Sequence, residues 1–122
     1  MATRVEQLNS ALRKLRSTSP DVQGAAVVSV DGFIIASDVH ADLDEELVAG
    51  IASAAIGVGN RVTQELLSAE LEQAFFRSAT GFVILQAIDD DSTLVVLTGR
   101  QAKLGLIFID VRRAVETIRQ SM

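Results

Sequence analysis

Apolar residues recur along the chain with two different periods, and each change of period marks a new element. Val5, Leu8, Leu12 and Leu15 share one stripe of a helix over residues 4–17, with Thr3 and Glu6 at capping-box spacing. Arg4, Arg13, Lys14 and Arg16 occupy its wet face, and Ser19-Pro20-Asp21 ends it. Residues 22–30 and 33–38 are short runs that flank Asp31-Gly32, the signature of a two-residue type I′ hairpin. Ala25, Ala26, Val27, Val28 and Val30 make the first run apolar on both faces, which predicts an inner strand of a sheet covered on both sides.

Asp42 is the predicted N-cap of a long helix over residues 43–67, with Glu45 at the reciprocal capping position and further acids at the positive end of the helix dipole. Residues 71–78, 81–88 and 93–99 read as an antiparallel meander with turns at Ala79-Thr80-Gly81 and Asp89-Asp90-Asp91-Ser92. A last helix over 104–120 turns Leu104, Ile107, Phe108, Val111, Val115 and Ile118 to one side.

The middle helix departs from the usual amphipathic pattern, in which one stripe is buried and the rest is polar. Its stripe of Leu47, Ile51, Ala54, Ala55, Val58 and Val62 is expected to face the sheet. The opposite face, Ala49, Ala52, Ser53, Ile56, Gly59, Asn60, Thr63 and Leu67, carries no charge and is therefore expected to meet a second protein surface. Gly50, Gly57 and Gly59 each cost the helix about 0.5–1 kcal/mol relative to alanine, a cost that a closely approaching partner helix would offset. With the other two helices needed on the far side of the sheet, a second copy of the chain is the simplest partner. On this reading Ile56→Glu dissociates the pair. The following strand mixes charge with Phe75 and Phe76 as a sheet edge does, so Gln73 and Phe75 join the expected interface, and the alternative is a helix buried wholly within one chain.

Composition narrows the class. The chain has 122 residues, within the range of one domain over 1–122, and 48 % hydrophobic against 22 % charged residues excludes a disordered chain. There is no cysteine, hence no disulfide framework or thiolate metal site, which fits a reducing compartment; no signal peptide is visible, and a cytoplasmic location is expected. The longest charge-free stretch, residues 47–60, is too short for the ~20 apolar residues of a membrane span. A net charge of −5 and the lack of Trp and Tyr argue against nucleic-acid binding.

Candidate chemistry is sparse. His40 between Asp38 and Asp42 gives three groups on a loop, a weak metal set that reads as capping and solvation. Asp89, Asp90 and Asp91 lack EF-hand spacing and read as a polar hairpin tip. Gly57-Val58-Gly59-Asn60 lacks the last glycine of a dinucleotide fingerprint and does not open a helix, and no nucleophile elbow or Gly-Lys-Ser/Thr occurs. No catalytic residue, cofactor or metal ligand is assigned.

The order of elements, together with Gly24-Ala25-Ala26-Val27-Val28-Ser29-Val30-Asp31-Gly32-Phe33-Ile34-Ile35-Ala36-Ser37, Gly81-Phe82-Val83-Ile84-Leu85-Gln86, Leu94-Val95-Val96-Leu97 and Ala102-Lys103-Leu104-Gly105-Leu106, resembles the Roadblock/dynein light chain domain family over nearly the whole chain. The resemblance implies an α+β fold of order α-β-β-α-β-β-β-α: a five-stranded antiparallel sheet with the first and third helices on one face and the long helix on the other. It also implies dimerisation through the long helix and the edge strand after it, giving a ten-stranded sheet. Family members are non-catalytic subunits: dynein light chains, scaffolds for Rag-type GTPases and prokaryotic regulators of Ras-like GTPases. The expectation is therefore a homodimeric adaptor or regulator of a small Ras-like GTPase. Arg100, after the last strand, is either a finger supplied in trans to that GTPase or a solvated residue before a helix. The alternative function is a sensory domain of similar architecture that encloses a small ligand, marked by polar groups pointing into an apolar cavity.

Overall fold

The computed structural model describes residues 2–121. The elements are α1 (Arg4–Thr18), β1 (Val22–Ser29), β2 (Ile34–Asp38), α2 (Glu45–Leu67), β3 (Gln73–Arg77), β4 (Gly81–Ala87), β5 (Ser92–Gly99) and α3 (Leu104–Gln120). The strands pair antiparallel in the order β2-β1-β5-β4-β3, which places β2 and β3 at the two edges.

Strand alternation divides the interior into two layers. Val22, Ala25 and Val27 of β1, Leu94 and Val96 of β5 and Ile84 of β4 meet α1 and α3 on one side. Ala26, Val28, Val95 and Leu85, the residues between them, meet α2 on the other. β1 is buried on both faces, as its unbroken apolar run predicts. On α1 the buried stripe is Leu8, Ala11, Leu12 and Leu15; Val5 is exposed, because it lies at the helix start, off the centre of that stripe.

Three local expectations are corrected. The β1–β2 turn is not type I′: that turn needs φ > 0 at both central residues, and only Gly32 (φ 88°) adopts it. Gly32 N–H donates to Ser29 O and Ser29 N–H to Phe33 O, giving a three-residue loop, Val30 to Gly32, closed by a left-handed glycine. The N-cap of α2 is Asp44, not Asp42; its carboxylate accepts from the amides of Glu46 and Leu47 at 3.0 and 3.3 Å. Glu45 accepts from the Ser37 hydroxyl at 2.6 Å and ties the start of α2 to β2.

At its other end, α2 closes on Ser68 in the left-handed region (φ 56°), whose amide donates to Gln64 O. Glycine occupies such a cap without the roughly 1–2 kcal/mol steric cost of an L side chain, offset in part by its greater unfolded entropy. Ser68→Gly is expected to stabilise the protein by about 0.5–1 kcal/mol in urea unfolding.

Candidate protein-binding surface

α2 packs chiefly on β1 and β2 and covers the α2-side face of β5, β4 and β3 only in part: Leu85 and Val95 are buried, Val83 and Leu97 half-buried, and Phe76 is exposed. Its small residues make this seating possible: Ala49 (0 % exposed) and Ala52 (4 %) lie against the sheet, with Ile56 packed on the same cluster. The larger aliphatic residues point away, Leu47 being 56 %, Ile51 60 %, Val58 66 % and Val62 50 % exposed.

Except at Ala55, which packs on the sheet-side cluster as expected, the two faces of α2 are thus interchanged relative to the sequence expectation. Ala49, Ala52 and Ile56 are on the sheet side, Ser53 donates to Val30 O at 2.7 Å, and Asn60 Oδ1 accepts from Leu71 N–H at 2.8 Å. Gly59 abuts the Leu71 side chain, where a Cβ would stand 2.8 Å from Cδ2, and the Thr63 hydroxyl donates back to Asn60 O. Of the eight residues assigned to the outer face only Leu67 is exposed. Nothing within 4 Å meets a Cβ at Gly50 or Gly57, so those two glycines lie on the open side.

A signal for the correct roll was present. Arg61 and Glu65 fall at helical spacing from Val58 and Val62, on the stripe assigned to the sheet, where unpaired charges have no place. With both faces otherwise uncharged, these two residues decide which is wet.

Leu47 and Ile51 border a groove of about 340 Å³ whose far wall is the sheet, formed by Phe76, Val83, Leu85 and Leu97. All its lining residues are apolar. The groove runs to β3, the exposed edge strand, as the sequence predicted. Within β3 the side chains divide by the pleat: Phe76 floors the groove, while Phe75 turns to the opposite face and meets Phe108 of α3, ring centroids 5.9 Å apart. Gln73, on the Phe75 side, donates from Nε2 to Gln86 Oε1 at 2.8 Å.

The candidate chemical groups are dispersed. His40 Nδ1 accepts from Asp42 N–H at 3.2 Å on an exposed loop, while Asp38 pairs with Arg16 at 3.1 Å and is turned away from them. In the β4–β5 turn, burial raises the Asp89 carboxyl, but hydrogen bonds from the Ser92 hydroxyl and the Asp91 and Ser92 amides, with the charge of Arg4, outweigh it and hold the group below its ordinary range. That arrangement organises the turn. Gly57-Val58-Gly59-Asn60 is mid-helix and Arg100 is exposed in the turn after β5. No helix among the described residues is long and apolar enough to cross a membrane.

A two-sided antiparallel sheet with an open edge and a bare apolar groove defines a class of α+β domain that presents a surface. The chain belongs to the Roadblock/LC7 domain family, whose model matches residues 8–98. An uncharacterized protein of Methanocaldococcus jannaschii is 36 % identical over 113 residues, 92 % of this chain and 96 % of the relative. Among solved structures, Myxococcus xanthus MglB superposes with a TM-score of 0.89 at 15 % identity, covering 98 % of this chain and 90 % of that one, a likeness of fold. A Roadblock/LC7 domain from Streptomyces avermitilis, at 28 % identity, gives 0.72 with 90 % and 96 % covered.

Proposed function

We propose that residues 1–122 act as one Roadblock domain that forms a homodimer and serves in the cytoplasm as a non-catalytic adaptor or regulator of a small Ras-like GTPase. The observation that carries this reading is the bare groove of the α2 layer, bordered by exposed Leu47 and Ile51 and running into the free edge of β3. Burying one such aliphatic side chain is worth about 1.5–3 kcal/mol, so a row of them left wet is a strong drive to associate. A second copy supplies a matching helix and a matching strand, the simplest way to cover both at once. The GTPase part rests on family membership. The wholly apolar lining of the groove disfavours the sensory alternative, since nothing in it would orient a small polar ligand.

The partner reading is tested with a Ras-like GTPase from the same genome, loaded with GTP or GDP and titrated with this protein. A complex whose affinity depends on the bound nucleotide, with a changed rate of hydrolysis or exchange, is the expected result. Equal and negligible binding of both forms by every such GTPase of the genome would end the regulator reading.

A further inference from the structure

We infer that two copies join through β3 in a single register, centred on Phe75; this rests on the self-association reading above. The backbone decides which groups are free. Glu72 O accepts from Ala87 N–H and Ser78 N–H donates to Gly81 O, both at 2.9 Å, so residues 72, 74, 76 and 78 turn their amides towards β4. Gln73, Phe75 and Arg77 therefore direct both N–H and C=O to the open edge. One residue pair upstream the edge is already closed, because Leu71 N–H is held by Asn60 Oδ1. What remains is a short row of donors and acceptors on a five-residue strand, the template for one added strand.

The side chains of this strand are complementary to themselves about its middle. With a two-fold axis at Phe75, Gln73 meets the partner's Arg77, Ala74 meets the partner's Phe76, and Phe75 meets its own copy. All three outward-turned residues are then used. Moving the axis to Ala74 or to Phe76 leaves one of them without a mate.

Each pairing fits a feature of the single chain. Gln73 uses Nε2 on Gln86, which leaves Oε1 to accept from a guanidinium. Arg77 lies over the Phe82 ring at 5.6 Å and has no ion-pair partner among the described residues. On the α3 side the two Phe75 rings come together, each backed by a Phe108, in a four-ring cluster across the axis. On the α2 side the small Ala74 makes room beside the partner's Phe76, so the floor of the groove continues from one copy into the next.

Because the chain has no cysteine, single replacements report the register directly. Directly opposed residues of a hydrogen-bonded antiparallel pair have Cα atoms about 5.5 Å apart, inside the range a disulfide spans. Under mild oxidation Phe75→Cys is expected to cross-link to itself. Gln73→Cys and Arg77→Cys are expected to cross-link when mixed and to stay single when oxidised alone; this pair keeps the Phe75 cluster intact. Self-linking of Ala74→Cys or Phe76→Cys in preference to Phe75→Cys would overturn the register while leaving self-association standing. A parent protein that is a single chain in solution, with no link at any position, would overturn the association reading itself.

Discussion

Ile51→Glu is expected to split the protein into folded single chains, whereas Ile56→Glu, five residues on, is expected to destabilise the fold itself. Ile51 is exposed beside the groove, so a carboxylate there is solvated in one chain and buried twice across a two-fold interface. Losing two aliphatic contacts of about 1.5–3 kcal/mol each weakens association by a hundredfold or more in Kd. The isolated chain should keep its stability within about 0.5 kcal/mol, as surface changes do. Ile56 packs on the sheet-side cluster of Ala26, Val28, Leu85 and Val95, where a carboxylate has no partner and costs roughly 2–4 kcal/mol. Sedimentation equilibrium and urea melts on both variants separate the outcomes. An Ile51→Glu protein that still pairs at micromolar concentration, or an Ile56→Glu protein as stable as the parent, would return α2 to the roll its sequence first implied.

Gly81→Ala should be the most damaging single methyl in the sheet. Gly81 opens β4 opposite Gly99, and a Cβ built on it would stand 2.1 Å from the carbonyl oxygen of Thr98. That carbonyl belongs to a backbone paired on both sides, with Val22 and with Phe82, so it has little freedom to give way. Overpacking of this kind costs about 1–3 kcal/mol, which at fixed protein concentration lowers Tm by roughly 4 °C per kcal/mol. Gly50→Ala is the control: its Cβ meets nothing within the chain and helix propensity favours the change. A Gly81→Ala midpoint equal to the parent's would mean that the β4–β5 register differs from the one described.

Much of the fold was legible because period and burial agree. β1 read as a two-sided strand and is, and the α3 stripe of Ile107, Val111, Val115 and Ile118 is the buried one. The N-cap of α2 was less legible than that of α1: Asp42 and Asp44 are both competent caps, and local spacing does not encode contacts between elements such as the Ser37–Glu45 bond beside Asp44. The roll of α2 was the main failure. Small residues suit a close contact with either a sheet or a helix, and here Ala49 and Ala52 serve the sheet. Only Arg61 and Glu65 told the faces apart. The edge position of β3 was legible from its mixed charge and aromatics, but that Phe75 and Phe76 part to opposite faces, and that Phe75 finds Phe108, depends on the sheet being in place.

All of this turns on whether the open groove of the α2 layer is covered by another copy. The molar mass of the purified protein by light scattering, across micromolar concentrations, decides it. A value of two 13.0 kDa chains that persists on dilution and drops to one in Ile51→Glu is the predicted result. A monodisperse 13.0 kDa species, with Leu47, Ile51 and Phe76 freely accessible to solvent, contradicts it.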